Sequence, residues 1–149
     1  MSLDDLQSPF QERDAKRLVG VHPDLIKVYV RACKLFPIAF ASTPSFKLFV
    51  IEGVRTRKIQ ADYVKIGASW TENSKHLVGM AIDLGIQSNG KMRWEMAVYQ
   101  RLWENVIRIA ADELDVSMLW GGTWKQKDGP HFELLGDKYA TWRKNYAIV

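Results

Sequence analysis

Residues 79–86, GMAIDLGI, set a carboxylate, Asp83, inside an apolar run that reads as a strand. An unpaired carboxylate is costly to bury, so the sheet that takes this strand must bring Asp83 an ion-pair partner or a metal. A thiolate site cannot meet that demand. Cys33 is the one cysteine in 149 residues, which excludes a disulfide scaffold and a Cys-rich zinc site. In its apolar helical run Cys33 reads as a core residue.

The rest of the chain supplies helices first and strands later. Ser8 caps a short helix through Leu18, stopped by Gly20. His22-Pro23-Asp24 opens a second helix, with His22 in a capping or surface role. Leu25, Val28, Tyr29, Ala32, Leu35 and Phe36 form its stripe up to Pro37. Residues 46–51 (FKLFVI) read as a buried strand, and 55–66 as a helix closed by Gly67. Asn89-Gly90 signals a hairpin into residues 91–93. The longest helix spans 94–114, with Met96, Tyr99, Leu102, Trp103, Val106, Ile107, Ala110 and Leu114 inward. Two short strands follow, at 118–120 and 132–135. This order predicts an α+β fold: a small, mostly antiparallel sheet packed with N-terminal helices and one long helix, the site at the sheet edge. A length of 149 residues suits one domain, 1–149.

Three histidines are present, so each can be weighed. His76 precedes the Asp83 strand, and Gly79 and Ala81 between them allow close backbone approach. His131 opens a later strand. An imidazole from a turn, a carboxylate from a strand and a second imidazole give three ligands, leaving a fourth zinc position for water. Asp128, three residues before His131, is available as a base. The same residues also fit a plainer arrangement, a buried Asp83–Arg or Asp83–Lys pair with both histidines at the surface. Spacing alone does not choose between them. Ser74 either binds substrate or fixes its loop, and Trp120 and Trp124 line a cleft or pack in the core. Arg57 and Lys75 either help bind an anionic peptide or are solvated charges, the latter favoured, and Glu133 is either an acceptor behind a metal ligand or, the favoured reading, a strand surface residue.

The pattern Ser-x-His-x-x-Gly-x-Ala-x-Asp, matched by Ser74, His76, Gly79, Ala81 and Asp83, resembles the zinc motif of the D,D-carboxypeptidase and L-alanyl-D-glutamate peptidase superfamily. Asp128-x-x-His131 resembles its distal motif, and Glu52-Gly53-Val54-Arg55-Thr56 with Gln60 its strand-then-arginine segment. With the start Arg17–Asp24, the chain is similar to bacteriophage endolysins of the L-alanyl-D-glutamate endopeptidase branch. The resemblance implies zinc held by His76, Asp83 and His131, Asp128 as general base, and Arg55 steadying an oxyanion or a substrate carboxylate. Many carboxypeptidase relatives carry Glu at the position of Asp128 and Trp at that of Pro130. Both departures favour the endopeptidase branch.

The expected function is therefore a zinc metallopeptidase that cuts the L-Ala–D-Glu bond of bacterial peptidoglycan, as a monomer. The N-terminal MSLDDLQSPFQERD has no basic start followed by an apolar stretch, so no signal peptide is expected. No run approaches the ~20 apolar residues of a membrane span. A phage lysin of this kind collects in the host cytoplasm and meets the wall once the membrane is permeabilised. The net charge of +4 suits an anionic polymer. Basic residues are scattered among acids with no dense arm, which speaks against nucleic acid. A D,D-carboxypeptidase and a non-catalytic zinc-containing binding module of the same fold are the alternatives.

Overall fold

The computed structural model describes residues 9–149; the cap expected of Ser8 lies outside them. Strands β1 (Phe46–Glu52), β2 (Ala81–Ser88), β3 (Lys91–Arg93), β4 (Met118–Trp120) and β5 (His131–Leu134) form one sheet. Its order is β1-β2-β5-β4, with β3 folding back on β2, and the pairings are antiparallel. Asn89 and Gly90 both take positive φ, 52° and 79°, as the hairpin signal requires. The α+β architecture expected from the sequence is the one observed.

Helices α1 (Pro9–Arg17), α2 (Pro23–Ala39), α4 (Met96–Leu102) and α5 (Arg108–Glu113) accompany α3 (Arg57–Lys65) and α6 (Ala140–Asn145). The alternation of strand side chains divides the sheet into two faces. Ile82, Leu84, Ile86, Phe132 and Leu134 are at most 1% exposed and join Leu25, Tyr29, Tyr99, Leu102 and Ile107 in the core. Each such aliphatic burial contributes roughly 1.5–3 kcal/mol. The intervening positions Asp83, His131 and Glu133 therefore fall on the other face.

Three elements depart from expectation. Helix α2 runs through Pro37 to Ala39, because a proline near the last turn forfeits one hydrogen bond while Phe40 N–H still reaches Phe36 O at 2.9 Å. Between α4 and α5 the chain winds as a π-helical segment, Trp103–Ile107, that stacks Trp103 on Trp120 at 6.4 Å. Beyond α5, Leu114 is 41% exposed rather than inward. Helix α6 was not foreseen. With the turn before it, it holds two segments: Tyr139 donates to Asp24 at the start of α2 at 2.9 Å, and Trp142 Nε1 donates to Val78 O, just ahead of β2, at 2.6 Å. His22 caps α2 as expected, accepting from Asp24 N–H at 2.9 Å.

The outer edge of β1 is closed by side chains of α1. Asp14, 2% exposed, accepts from Val50 N–H at 2.9 Å and from the Tyr29 hydroxyl, while Arg17 donates to Val50 O at 2.7 Å. Asp14→Ala should strand two buried donors and destabilise by about 2–5 kcal/mol in urea unfolding. Asp14→Asn, which keeps an oxygen for Val50, should lose clearly less. Equal, small losses in both variants would show that α1 does not hold this edge.

Candidate metal centre and cleft

Strand register puts Asp83 on β2 directly opposite His131 on β5 and beside Glu52 on β1. A 3-10 turn, Lys75–Val78, carries His76 back over the same spot. Ser74 caps that turn, its hydroxyl accepting from His76 N–H at 3.2 Å. Gly79 ends the turn at φ +66°, and a Cβ there would stand 2.3 Å from Gly20 O. Glycine alone allows both the left-handed bend and the contact.

The imidazoles converge on one oxygen. His76 Nε2 and His131 Nδ1 each lie 3.2 Å from Asp83 Oδ1. One ligand atom from each of the three residues lies within 4.8 Å of the others. The opposite ring nitrogens face acceptors: His76 Nδ1 meets Gly53 O at 2.7 Å and His131 Nε2 meets Glu133 Oε1 at 2.8 Å. Those partners place the N–H groups at the back of each ring and turn both remaining lone pairs toward a carboxylate. Three electron-pair donors facing each other need a proton or a cation between them, so the donor set fits a metal ion. Burial disfavours charge on His131, yet Asp83 and Glu133 outweigh it and lift its pKa to about 9. Burial likewise opposes the Asp83 carboxylate, but the two imidazoles hold its pKa well below the usual range.

The second oxygen of Asp83 is held by Arg55, whose Nη2 donates to Oδ2 at 2.9 Å. Arg55 also donates through Nε to Glu52 and through Nη1 to Gln60 Oε1 at 3.1 Å, with its guanidinium over Tyr63. The ion pair and the metal-type cluster, alternatives at the level of spacing, thus occur together. Neither His76 nor His131 is a surface residue, at 0% and 5% exposed.

Two assignments need correction. Lys75 and Glu133 are not solvated charges: they pair at 2.7 Å with side chains 19% and 13% exposed, and Lys75 also donates to Leu134 O at 2.6 Å. Lys75 begins the turn that crosses β5, which no sequence spacing reveals. Glu133 is two residues beyond His131 and so shares its face of the sheet. Arg57 is exposed, as expected. The tryptophans divide: Trp120 is in the core, donating to Gly129 O at 2.7 Å, while Trp124 covers His131 at 4.6 Å.

Asp128 sits in the loop entering β5. Gly121 admits this loop, since a Cβ there would come within 2.4 Å of Asp128 O. Burial raises the Asp128 pKa, and the Asp83 charge adds to the rise. Among the described residues its carboxylate has no hydrogen-bond or ion-pair partner. Asp128, Arg55, Ser74, Lys75 and His131 line one cleft of about 550 Å³. Trp70 lines it too, a residue that sequence reading passed over in a Ser/Thr/Asn-rich loop.

The family model for phage L-alanyl-D-glutamate peptidase matches residues 7–135. The chain belongs to that family. It is 29% identical over 135 residues to the L-alanyl-D-glutamate peptidase of Escherichia phage T5, covering 87% of this chain and 91% of the relative. The L-alanyl-D-glutamate peptidase of Listeria phage A118 is 28% identical over 103 residues, 68% of this chain and 35% of that longer protein. Among solved structures, the Serratia marcescens L-Ala D-Glu endopeptidase ChiX superposes with a TM-score of 0.70 at 34% identity, covering 95% of this chain and 99% of its own. The resemblance noted from the motifs is thereby borne out across the fold.

Metal-stripped protein should rebind one divalent ion per chain and gain about 2.7 kcal/mol of stability at a free ion concentration a hundredfold above Kd. His76→Ala and His131→Ala should each abolish that gain in thermal melts. Full stabilisation by the ion in both variants would remove the site from these residues.

Proposed function

We propose that this chain is a zinc-dependent peptidoglycan hydrolase of the endolysin type, cutting the L-Ala–D-Glu bond of stem peptides. Residues 1–149 would act as one catalytic domain and as a monomer. The observation that carries the reading is the convergence of His76, Asp83 and His131 at the wall of a cleft that His131 lines together with the unpartnered carboxylate of Asp128. Family membership supports the peptidase chemistry. Two nitrogens and one oxygen form a ligand set that would suit zinc.

Bound zinc supplies Lewis acidity, acidifying water and polarising a carbonyl. Asp128 accepts the proton of the attacking water and delivers it to the departing D-Glu nitrogen. Its carboxylate lines the cleft beside His131 with no hydrogen-bond or ion-pair partner among the described residues, which suits an acid–base role. Arg55 holds Asp83 in place. Three of its five N–H groups go to Glu52, Gln60 and Asp83, so an oxyanion or substrate carboxylate would use the other two. Ser74 accepts from His76 N–H and keeps its own O–H to donate to a substrate carbonyl.

Among the described residues no helix is long and apolar enough to cross a membrane. We place the enzyme in the host cytoplasm until a separate agent opens the membrane, with the wall polymer as its partner and no nucleic acid.

Digested cell wall should gain amino-terminal D-Glu, without new reducing sugar ends and without a burst of free D-Ala. Labelling of fresh amino termini checks this. Free D-Ala alone would move the chain to carboxypeptidase activity.

Asp128→Asn should keep its metal and lose about 10²–10⁴-fold in kcat. Because folding raises the Asp128 pKa, the ionised form is disfavoured in the native state. That penalty is absent below the ordinary aspartate pKa and develops as pH rises through the raised one. Asp128→Asn should therefore be at least as stable as the parent at pH 7. A variant that melts well below the parent would give Asp128 a structural role instead.

A further inference from the structure

Trp70 is 68% exposed, yet the loop that presents it is tied on both sides. Gln60, 1% exposed, donates from Nε2 to Ser69 Oγ at 2.9 Å and to Thr71 O at 2.6 Å. Ala68 and Ser69 N–H groups reach Tyr63 O at 2.8 and 3.1 Å. The same Gln60 receives Arg55, which holds Asp83. A continuous run of hydrogen bonds thus sets the indole at a defined place relative to the metal-type cluster. Trp70 meets Trp124 edge-on at 6.2 Å, and Trp124 in turn lies 4.6 Å from His131. Both rings line the cleft, with the uncharged amides of Asn73 and Gln126.

A fixed indole left in water at a cleft rim forgoes burial that a core position would give it. Its flat apolar face and polar N–H edge match a ligand built the same way. Sugar rings have that character: C–H groups cover one face while hydroxyl and acetamido groups ring the edge. On the proposed function, such a ring lies close to the reacting bond. The L-Ala amine in peptidoglycan is acylated by the lactyl group of a muramic sugar. The ring therefore begins about two residue lengths, roughly 7 Å, from the scissile carbonyl. Trp70 stands two ring contacts from His131, through Trp124, on the cleft that His131 also lines.

We propose that Trp70, backed by Trp124, is a stacking platform for the amino sugar that carries the stem peptide. Asn73 and Gln126 are placed to hydrogen-bond its acetamido and hydroxyl groups. The enzyme then reads the sugar–peptide junction and not the peptide alone. This inference rests on cleavage at L-Ala–D-Glu, and the test separates the two.

Two soluble substrates with the same peptide are compared, one capped by N-acetylmuramic acid and one by acetyl. The parent should prefer the muramoyl substrate on the order of tenfold in kcat/KM. Trp70→Ala should bring the ratio to about one, and Trp70→Phe should restore part of it. A ratio that Trp70→Ala does not change, or a parent ratio already near one, overturns the platform. In parallel, a peptide-free disaccharide of N-acetylglucosamine and N-acetylmuramic acid is titrated against tryptophan fluorescence. Saturable quenching in the parent that is lost in Trp70→Ala supports the platform even where neither substrate is cut, which would refute only the bond assignment. Absence of quenching in the parent counts against the platform.

Discussion

The carboxylate of Asp83 is the point on which the site depends. One oxygen takes Arg55 and the other faces two imidazoles. In the middle of a sheet such a group is tolerable only when both oxygens are engaged. Everything around it serves that condition. Strand pairing brings His131 opposite and Glu52 alongside, the turn after Ser74 returns His76, and Gly53 O and Glu133 orient the rings from behind. Carboxylate and carbonyl partners of this kind fix which nitrogen is free to bind.

The two faces of the sheet divide the labour. Ile82, Leu84 and Ile86 alternate with Ala81, Asp83 and Gly85, so the strand that anchors the core also presents the ligand. A one-residue slip would exchange the faces, burying Asp83 among the helices. The closed outer edge of β1 and the clamp of α6 on α2 and the His76 turn guard against such movement. Stability and site geometry are carried by the same strand.

Much of this was legible in the sequence because it follows from local chemistry. Asp83 announced itself by an apolar context that a carboxylate does not tolerate alone, and Asn89-Gly90 by a turn few other pairs favour. What escaped depends on register or on three-dimensional crossing. Lys75 and Glu133 are 58 positions apart in the chain and meet only because the turn before β2 passes over β5. Across the π-helical segment the buried positions Tyr99, Leu102, Val106, Ile107 and Ala110 keep ordinary helical spacing, so periodicity does not show it. Trp70 lies in a polar loop, and the bonds from Gln60 to Ser69 and Thr71 that hold that loop are invisible in spacing.

A cation shared at Asp83 makes a sharp demand on the imidazoles, because each must offer one particular nitrogen. Long-range ¹H–¹⁵N NMR of the histidine side chains, with and without zinc, measures this directly. The expected result is retained N–H protons on His76 Nδ1 and His131 Nε2, held by Gly53 and Glu133, with zinc-induced shifts at His76 Nε2 and His131 Nδ1. Shifts at the opposite nitrogens, or at neither imidazole, would contradict a metal centre built on Asp83.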